Sequence, residues 1–204
     1  MPRLPQHVGF IPDGNRRWAQ ARGLAKQEGY SAGIEPGLEL CRQCIELGIP
    51  EVSVYGFTQD NAKRPSVQRL AYSAACVEFA RAAEGLGCSV HALGDCNSAV
   101  FPAELQANRE PHAGGGRLRL NLLVNYGWDW DIAGMREGAL RSSAVPRLDL
   151  IVRWGGGRRL SGFLPVQSVY ADFYVVDAYW PDYHPAHFRD ALDWYARQDR
   201  TLGG

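Results

Sequence analysis

The chain has 204 residues, enough for one domain with its own core, and its 22 basic residues balance 22 acidic ones. Zero net charge excludes bulk charge as an argument for nucleic-acid binding, so any anion site must come from local clustering. No stretch is long and apolar enough to cross a membrane and the residues after Met1 lack a signal-peptide core, so a soluble, cytoplasmic protein is expected.

In chain order, Val8 to Ile11 reads as a buried strand that Pro12-Asp13-Gly14-Asn15 breaks. From about Asn15 the period changes, with Trp18, Ala19, Arg22 and Gly23 suggesting a helix of roughly two to three turns. Such a strand–turn–helix corner leaves free N–H groups that suit an anion, and Arg16, Arg17, Arg22 and Lys26 add cations. Asp13 is out of character in an anion site unless a divalent cation joins it to the anion, as Mg²⁺ commonly joins a carboxylate to substrate phosphates. The alternative is that Asp13 or Asn15 caps the helix and the arginines form a solvated face.

Apolar spacing predicts a helix over Tyr30 to Leu47 stopped by Gly48, then a strand over Glu51 to Phe57. A long alanine-rich helix follows from Ser66 or Val67 to Leu86, then a strand from Cys88 to Leu93. A weak helix over Pro102 to Arg109 leads to the connector Gly114-Gly115-Gly116 and a central strand over Arg117 to Asn125. The remaining elements are a helix from about Trp130 to Arg141, strands over Asp149 to Arg153 and Phe173 to Val176, and a helix over Pro185 to Gln198. Strands alternate with helices from end to end, without internal repeats, which predicts a single α/β domain over residues 1–204 with a mainly parallel sheet flanked by helices.

The cysteines Cys41, Cys44, Cys76, Cys88 and Cys96 lack scaffold or zinc spacing; the CxxC lies in a helical pattern and reads as structural burial in a reducing compartment. The histidines are scattered, and His7 at a strand start reads as structural. Neither a nucleotide P-loop nor a G-x-S-x-G elbow occurs.

In parallel sheets ligands bind beyond the carboxyl ends of the strands. The residues there are Asp13-Gly14-Asn15, Thr58-Gln59-Asp60-Asn61, Asn125-Tyr126, and Arg153 followed by Gly155-Gly156-Gly157, Arg158, Arg159 and Ser161. This amide-rich, cationic inventory suits a diphosphate, including one that departs as a leaving group.

These residues carry a family resemblance that spans nearly the whole chain. HVGFIPDGNRRWA with Gly29 and Gly33, YGFTQDN with KRP, NLLVNYGWDWDI, RWGGGRRLSGFLP and YADFYVVDAYWPDY occur in the order of five signatures. The chain resembles the cis-prenyltransferases, the Z-isoprenyl diphosphate synthases that include undecaprenyl diphosphate synthase. The resemblance implies a parallel-sheet fold with a hydrophobic tunnel between sheet and helices, usually in a homodimer. The implied reaction joins an allylic diphosphate to isopentenyl diphosphate, releasing pyrophosphate and leaving a Z double bond. It further implies Mg²⁺ as cofactor, Asp13 and Asp172 as its ligands, and Asp13, Asn15 and Asn61 in catalysis. Gly14, Asn15, Arg16, Arg17 and Lys26 would cradle the allylic diphosphate, with Trp18 and Tyr30 in the same substrate-binding stretch. Arg153, Arg159 and Ser161 would hold isopentenyl diphosphate. No nucleic-acid partner is expected, while transient contact with a membrane surface is allowed.

The chain departs from the family pattern in several places. Tyr30 stands for a histidine, Ala62 for a tryptophan, and Trp128-Asp129 for Gly-Arg. Gly157-Arg158 stands for an acidic residue and a small or polar one, and Thr201 for an arginine, with Arg200 one place earlier. The helix from Val67 to Leu86 would line the tunnel, with Tyr72, Val77, Phe79 and Leu122 or Val124 as candidates for its floor. A short Z-prenyl product is therefore expected. The alternatives are an irregular coupling, with or without cyclisation, of two allylic diphosphates such as dimethylallyl diphosphate, and a non-catalytic partner subunit. Retention of the DGN turn and its arginines speaks against the latter.

Overall fold

Strand β1 (His7–Ile11) lies between β2 (Glu51–Tyr55) and β5 (Leu150–Arg153) in a computed structural model that describes residues 3–111 and 115–198. Gly114, Arg200 and Thr201 fall outside the described residues. With β3 (Cys88–Leu93), β4 (Leu118–Leu123) and β6 (Asp172–Val175), the sheet has six strands in the order β3-β4-β2-β1-β5-β6. All the paired strands run parallel. From β1 the chain builds β2, β3 and β4 on one side, then crosses to build β5 and β6 on the other. The switch point lies between β1 and β5, where Ile11 pairs with Arg153, and the carboxyl ends there open a crevice.

The helices are α1 (Asn15–Ala21), α2 (Glu28–Ser31), α3 (Ile34–Leu47), α4 (Gln59–Ala62), α5 (Ser66–Gly85), α6 (Trp128–Ala133) and α7 (Pro185–Ala196). Gly48 stops α3 as expected: at φ 72° it lets its own N–H and that of Ile49 return to the carbonyls of Ile45 and Cys44. The helix expected over Tyr30 to Leu47 is instead two, separated around Gly33, where a side chain would collide with Asn15 and Trp180. The helix expected over Trp130 to Arg141 starts at Trp128, ends at Ala133 and tightens into a 3₁₀ turn over Gly134–Glu137. The weak helix after Pro102 is also 3₁₀, over Ala103–Asn108.

One face of the sheet carries Val8, Phe10, Val52, Leu120, Leu122 and Val152 against apolar residues of α3, α5 and α7. Each such side chain, fully buried, contributes about 1.5–3 kcal/mol. Phe79 of α5 reaches α3 at Gly37, where an added Cβ would lie 2.8 Å from the Phe79 ring. On the opposite face Ile11, Leu123 and Ile151 pack with Tyr126, Phe163 and Leu164. The tunnel is expected between α3, α5 and the sheet. That region holds an apolar cavity of about 60 Å³, with a further space of about 10 Å³ around Leu40, Cys41 and Cys44. The Phe79 ring lines both spaces.

At the amino end of the sheet, away from the crevice, His7 is buried as a structural group. Its Nδ1–H donates to the carbonyls of Pro146 (3.1 Å) and Arg147 (3.2 Å), which leaves Nε2 to accept from the Ser53 hydroxyl at 2.9 Å. Ser53 accepts from Asn121, and Asn121 also donates to the Glu51 carboxylate. Burial lowers the His7 pKa despite the opposing charges of Glu51 and Asp149 and the two backbone hydrogen bonds. A base held neutral on folding stabilises fully above its unfolded pKa of about 6.5, and loses that stabilisation as pH falls toward its folded value. Urea unfolding of the wild type should therefore shift to lower midpoints below about pH 6.5. His7→Gln should remove up to about 1.4 kcal/mol per pH unit of that slope. His91, also lowered by burial, keeps a residual slope in both proteins. Identical slopes would show that His7 does not titrate on unfolding.

Candidate active site

The crevice at the switch point opens into a cleft of about 670 Å³. Its walls are the turn after β1, helix α1, the turn after β2 and the glycine loop after β5. The turn after β1 depends on Gly14 at φ 105°, where a side chain would press into Tyr179. Gly29 brings α2 against α1 so closely that an added Cβ would lie 2.1 Å from the Asn15 carbonyl oxygen. Gly155 and Gly156, both at positive φ, fold the β5 loop back onto the Asp13 turn, where a Cβ at 155 would reach Arg17.

Arg153 occupies the centre. Its side chain is only 4% exposed, and Nη2 donates to Asp13 Oδ2 at 2.8 Å. Nη1 donates to Ser161 Oγ at 3.0 Å and to the Arg159 carbonyl, while Nε is buried with no partner. Ser161 holds its position at φ 53°, an uncommon conformation for a residue with a side chain, fixed in part by Tyr55, which donates to its carbonyl at 2.8 Å. Asp13 also pairs with Arg17 at 3.3 Å and accepts from the Gly14 N–H. Burial raises the Asp13 pKa, but the Arg153 hydrogen bond, the Arg17 and Arg153 charges and the Gly14 N–H outweigh it, so the carboxyl sits below its ordinary range. Arg17 lies over the Tyr179 ring at 5.1 Å.

The cleft brings together Asp13, Gly14, Asn15, Arg16, Arg17, Lys26, Tyr30, Asn61, Arg153, Arg159 and Ser161, all of them expected from the sequence. Asn15 donates to the Pro12 carbonyl, leaving its buried Oδ1 without a partner. Asn61 closes a capping box: its Oδ1 accepts from the Thr58 N–H and its own N–H donates to Thr58 Oγ1.

Two expected residues lie elsewhere. Trp18 is outside the cleft lining, its indole N–H donating to Asp182 at 2.7 Å beneath the Arg22 guanidinium. The phase of α1 turns it toward the 3₁₀ turn at Trp180–Asp182. Asp172 starts β6 opposite Leu150, three register steps from Arg153, with Arg3 at 4.0 Å. Within one chain it therefore sits at the opposite end of the strand from Asp13 and cannot complete a metal site with it. No group of three or more His, Cys, Asp or Glu side chains suited to a metal occurs among the described residues. Asn125, Tyr126 and Arg158 are also outside the lining, and Tyr126 turns inward to donate to buried Asp131 at 2.7 Å. Sequence reasoning missed Arg64 and Tyr55, which do line the cleft. Arg64 stands in the KRP run, the one available signal.

The family model described as putative undecaprenyl diphosphate synthase matches residues 11–203. The chain belongs to this prenyltransferase family. It is 33% identical, over all of its length and 83% of the relative, to a trans,polycis-polyprenyl diphosphate synthase ((2Z,6E)-farnesyl diphosphate specific) of Thermobifida fusca. It is 32% identical, over 98% of its length and 91% of the relative, to a ditrans,polycis-undecaprenyl-diphosphate synthase ((2E,6E)-farnesyl-diphosphate specific) of Pseudomonas putida. Its fold matches that of lavandulyl diphosphate synthase from Lavandula x intermedia, solved in complex with dimethylallyl diphosphate, with a TM-score of 0.81 and 24% identity over 98% of each chain.

In this cis-prenyltransferase, the Arg153 guanidinium packs against Gly157 so closely that a Cβ there would lie 2.7 Å from Nε. The guanidinium is pinned by Asp13, Ser161 and the Arg159 carbonyl, so it cannot yield without losing those bonds. Gly157→Ala should weaken the binding of inorganic pyrophosphate, measured by calorimetry, by about tenfold. Unchanged affinity in the folded variant would show that Arg153 does not serve the anion.

Proposed function

We propose that this protein transfers the allylic group of a short allylic diphosphate to isopentenyl diphosphate, releasing pyrophosphate and forming a short Z-prenyl diphosphate. The observation that supports this reading is the Arg153-centred cleft at the switch point, with cations of α1 on one side and the glycine loop on the other. Arg16, Arg17, Lys26 and the Gly14-Asn15 turn would hold the allylic diphosphate. Arg153, Arg159 and Ser161 would hold isopentenyl diphosphate. The donor C–O bond breaks as the new C–C bond forms, and the acceptor loses a proton. Arginines fixed around the departing diphosphate favour that step because the charge develops where they already point.

A magnesium ion fits the donor set. Asp13 is an ionised carboxylate on the cleft wall beside the partnerless Asn15 Oδ1, and Mg²⁺ binds through one or two carboxylates together with substrate phosphates. When bound, the ion would neutralise diphosphate charge. Asp13 would hold it, and the exposed Arg17 would turn from Asp13 to the substrates while Arg153 keeps its place.

A second reading, irregular coupling of two allylic diphosphates, is favoured by where the departures from the family pattern lie. Gly157 faces Arg153, and Trp128 packs beside Gly162, next to Ser161. The altered positions thus border the proposed acceptor side. Product mass analysis with dimethylallyl diphosphate alone, then with isopentenyl diphosphate added, separates the two readings.

We place two copies in the working assembly, in line with the family. The exposed apolar residues Val166, Val169 and Tyr170, beside Leu140 and Val145, support a self-association face. A monomer by light scattering at assay concentration would refute it.

Asp13→Ala should retain a cooperative melt yet reduce turnover on the order of 10²-fold and flatten the magnesium dependence. Near-normal activity would remove Asp13 from the metal site. Arg153→Ala and Arg159→Ala should each raise the KM for isopentenyl diphosphate by roughly tenfold or more. A response of the allylic KM alone would reverse the two sides. Phe79→Ala should lengthen the product at about 3–5 kcal/mol of stability, because it opens the space over Gly37. An unchanged product in a folded variant would place length control elsewhere.

A further inference from the structure

The anion cleft and the apolar cavity share Pro12, Asn15, Tyr30, Gly56 and Tyr72, which together form the mouth between them. Tyr30 of α2 and Tyr72 of α5 stack there with centroids 4.5 Å apart and planes 4° from parallel. Each ring is braced. The Tyr72 hydroxyl donates to the Gly56 carbonyl at 2.8 Å, and its ring meets Phe57 edge-on at 5.6 Å. Arg64 Nη1 donates to the Tyr30 hydroxyl at 3.1 Å, with its guanidinium 5.9 Å from the Tyr72 ring. Tyr30 is 4% exposed.

A five-carbon tail can end in the cavity behind this mouth, whereas a longer one needs room that a swing of Tyr72 would have to open. That movement would break the stack, the Phe57 contact and the Gly56 hydrogen bond together, leaving a backbone carbonyl unpaired beside apolar groups. Behind the mouth the cavity holds about 60 Å³, well short of the roughly 150 Å³ apolar cavity that admits benzene. It suits the branched end of a five-carbon tail whose first carbons stay in the mouth beside the diphosphate. The next space, beyond Phe79, is only about 10 Å³.

We infer that the Tyr30–Tyr72 stack, braced by Arg64, selects a five-carbon allylic diphosphate as donor against ten- and fifteen-carbon ones. The inference rests on the prenyl-transfer reading above and adds the donor class to it. Tyr72 and Tyr30 are the selecting side chains, and Arg64 positions Tyr30.

The test measures kcat/KM of the whole protein for five-, ten- and fifteen-carbon allylic diphosphates with magnesium and isopentenyl diphosphate. Calorimetry with the same donors and with inorganic pyrophosphate gives a readout independent of turnover. The wild type should favour the five-carbon donor over the fifteen-carbon one by about tenfold or more, within the range a shaped apolar pocket supplies. Tyr72→Ala should cut that ratio by about tenfold and tighten binding of the fifteen-carbon diphosphate relative to pyrophosphate. Tyr30→Phe, which keeps the ring but loses the Arg64 hydrogen bond, should lower the ratio by less than Tyr72→Ala does, and an unchanged ratio would remove Arg64 from the inference. Thermal melts accompany every variant, and Tyr72→Leu substitutes if the alanine variant loses its cooperative transition. A wild type that uses the fifteen-carbon donor as well as the five-carbon one overturns the inference and leaves the prenyl-transfer reading standing. So does an unchanged ratio in a folded Tyr72 variant. If no donor is turned over, the prenyl-transfer reading fails, and the binding series alone then decides the tail preference.

Discussion

The Arg153–Asp13 contact ties the carboxyl ends of β1 and β5 together, and the geometry of the cleft follows from the need to satisfy a buried guanidinium. Removing such a group from water costs several kcal/mol unless its donors find partners. Asp13 supplies the counter-charge, and Ser161 and the Arg159 carbonyl supply acceptors. For those acceptors to come within reach, the chain after β5 must curl back on itself within a few residues. Gly155 and Gly156 take backbone conformations that side chains resist, and Gly157 leaves room for the guanidinium. The run of glycines after Arg153 is thus a consequence of burying that arginine, as is the uncommon backbone of Ser161. Asp13 supplies the negative charge that balances both Arg153 and Arg17.

Glycine paired with an aromatic ring recurs on the two faces of the sheet with different results. On one face Phe163 lies over Gly9 of β1, where a Cβ would be 2.5 Å from the ring, and the space is simply filled. On the other, Phe79 lies over Gly37 of α3 and lines a small apolar cavity. A growing isoprenoid gains about 0.8 kcal/mol for each CH₂ it buries, so elongation continues while there is room. Forcing extra carbons into a packed interior costs roughly 1–3 kcal/mol, enough to cancel the gain from several of them. On the proposed reading, the position of one ring against one glycine would decide between growth and release.

How far the sequence revealed this depends on the distance over which each feature is encoded. The strands, their parallel direction and the cationic corner after β1 were readable, because strand–helix alternation, Pro12-Asp13-Gly14 and Arg153 with its glycines are short-range patterns. Asp172 was not, since its register against β5 sets which end of the sheet it occupies, and nothing in YADFYV marks that end. Trp18 was lost to helical phase, which a seven-residue helix leaves ambiguous. The split at Gly33 followed from a collision with Asn15 and Trp180, far apart in sequence. Tyr72 and Phe79 were both placed near the tail-binding space, and both line it, whereas Val77 and Val124 do not. The Tyr30–Tyr72 stack depends on ring orientations contributed by two helices, which no local pattern carries.

The two sides of the cleft differ physically in a way that suits sequential capture and positioning. Arg17 and Lys26 are exposed, so their attraction reaches into solvent and is screened within about 8–10 Å at ordinary ionic strength. Such charges speed the encounter with an anion but hold it loosely. Arg153 is buried and held at both ends of its guanidinium, so its field is little screened and its direction is set before any ligand arrives. A group of that kind contributes through geometry: it fixes where an anionic oxygen must lie relative to the Asp13 turn. Between the two sides runs the mouth formed by Tyr30 and Tyr72, where polar lining gives way to apolar within one residue layer. On the proposed reading, a diphosphate with a hydrocarbon tail would meet matching surroundings only with its charged head in the cleft and its tail through the mouth, so this boundary would orient the substrate before chemistry begins.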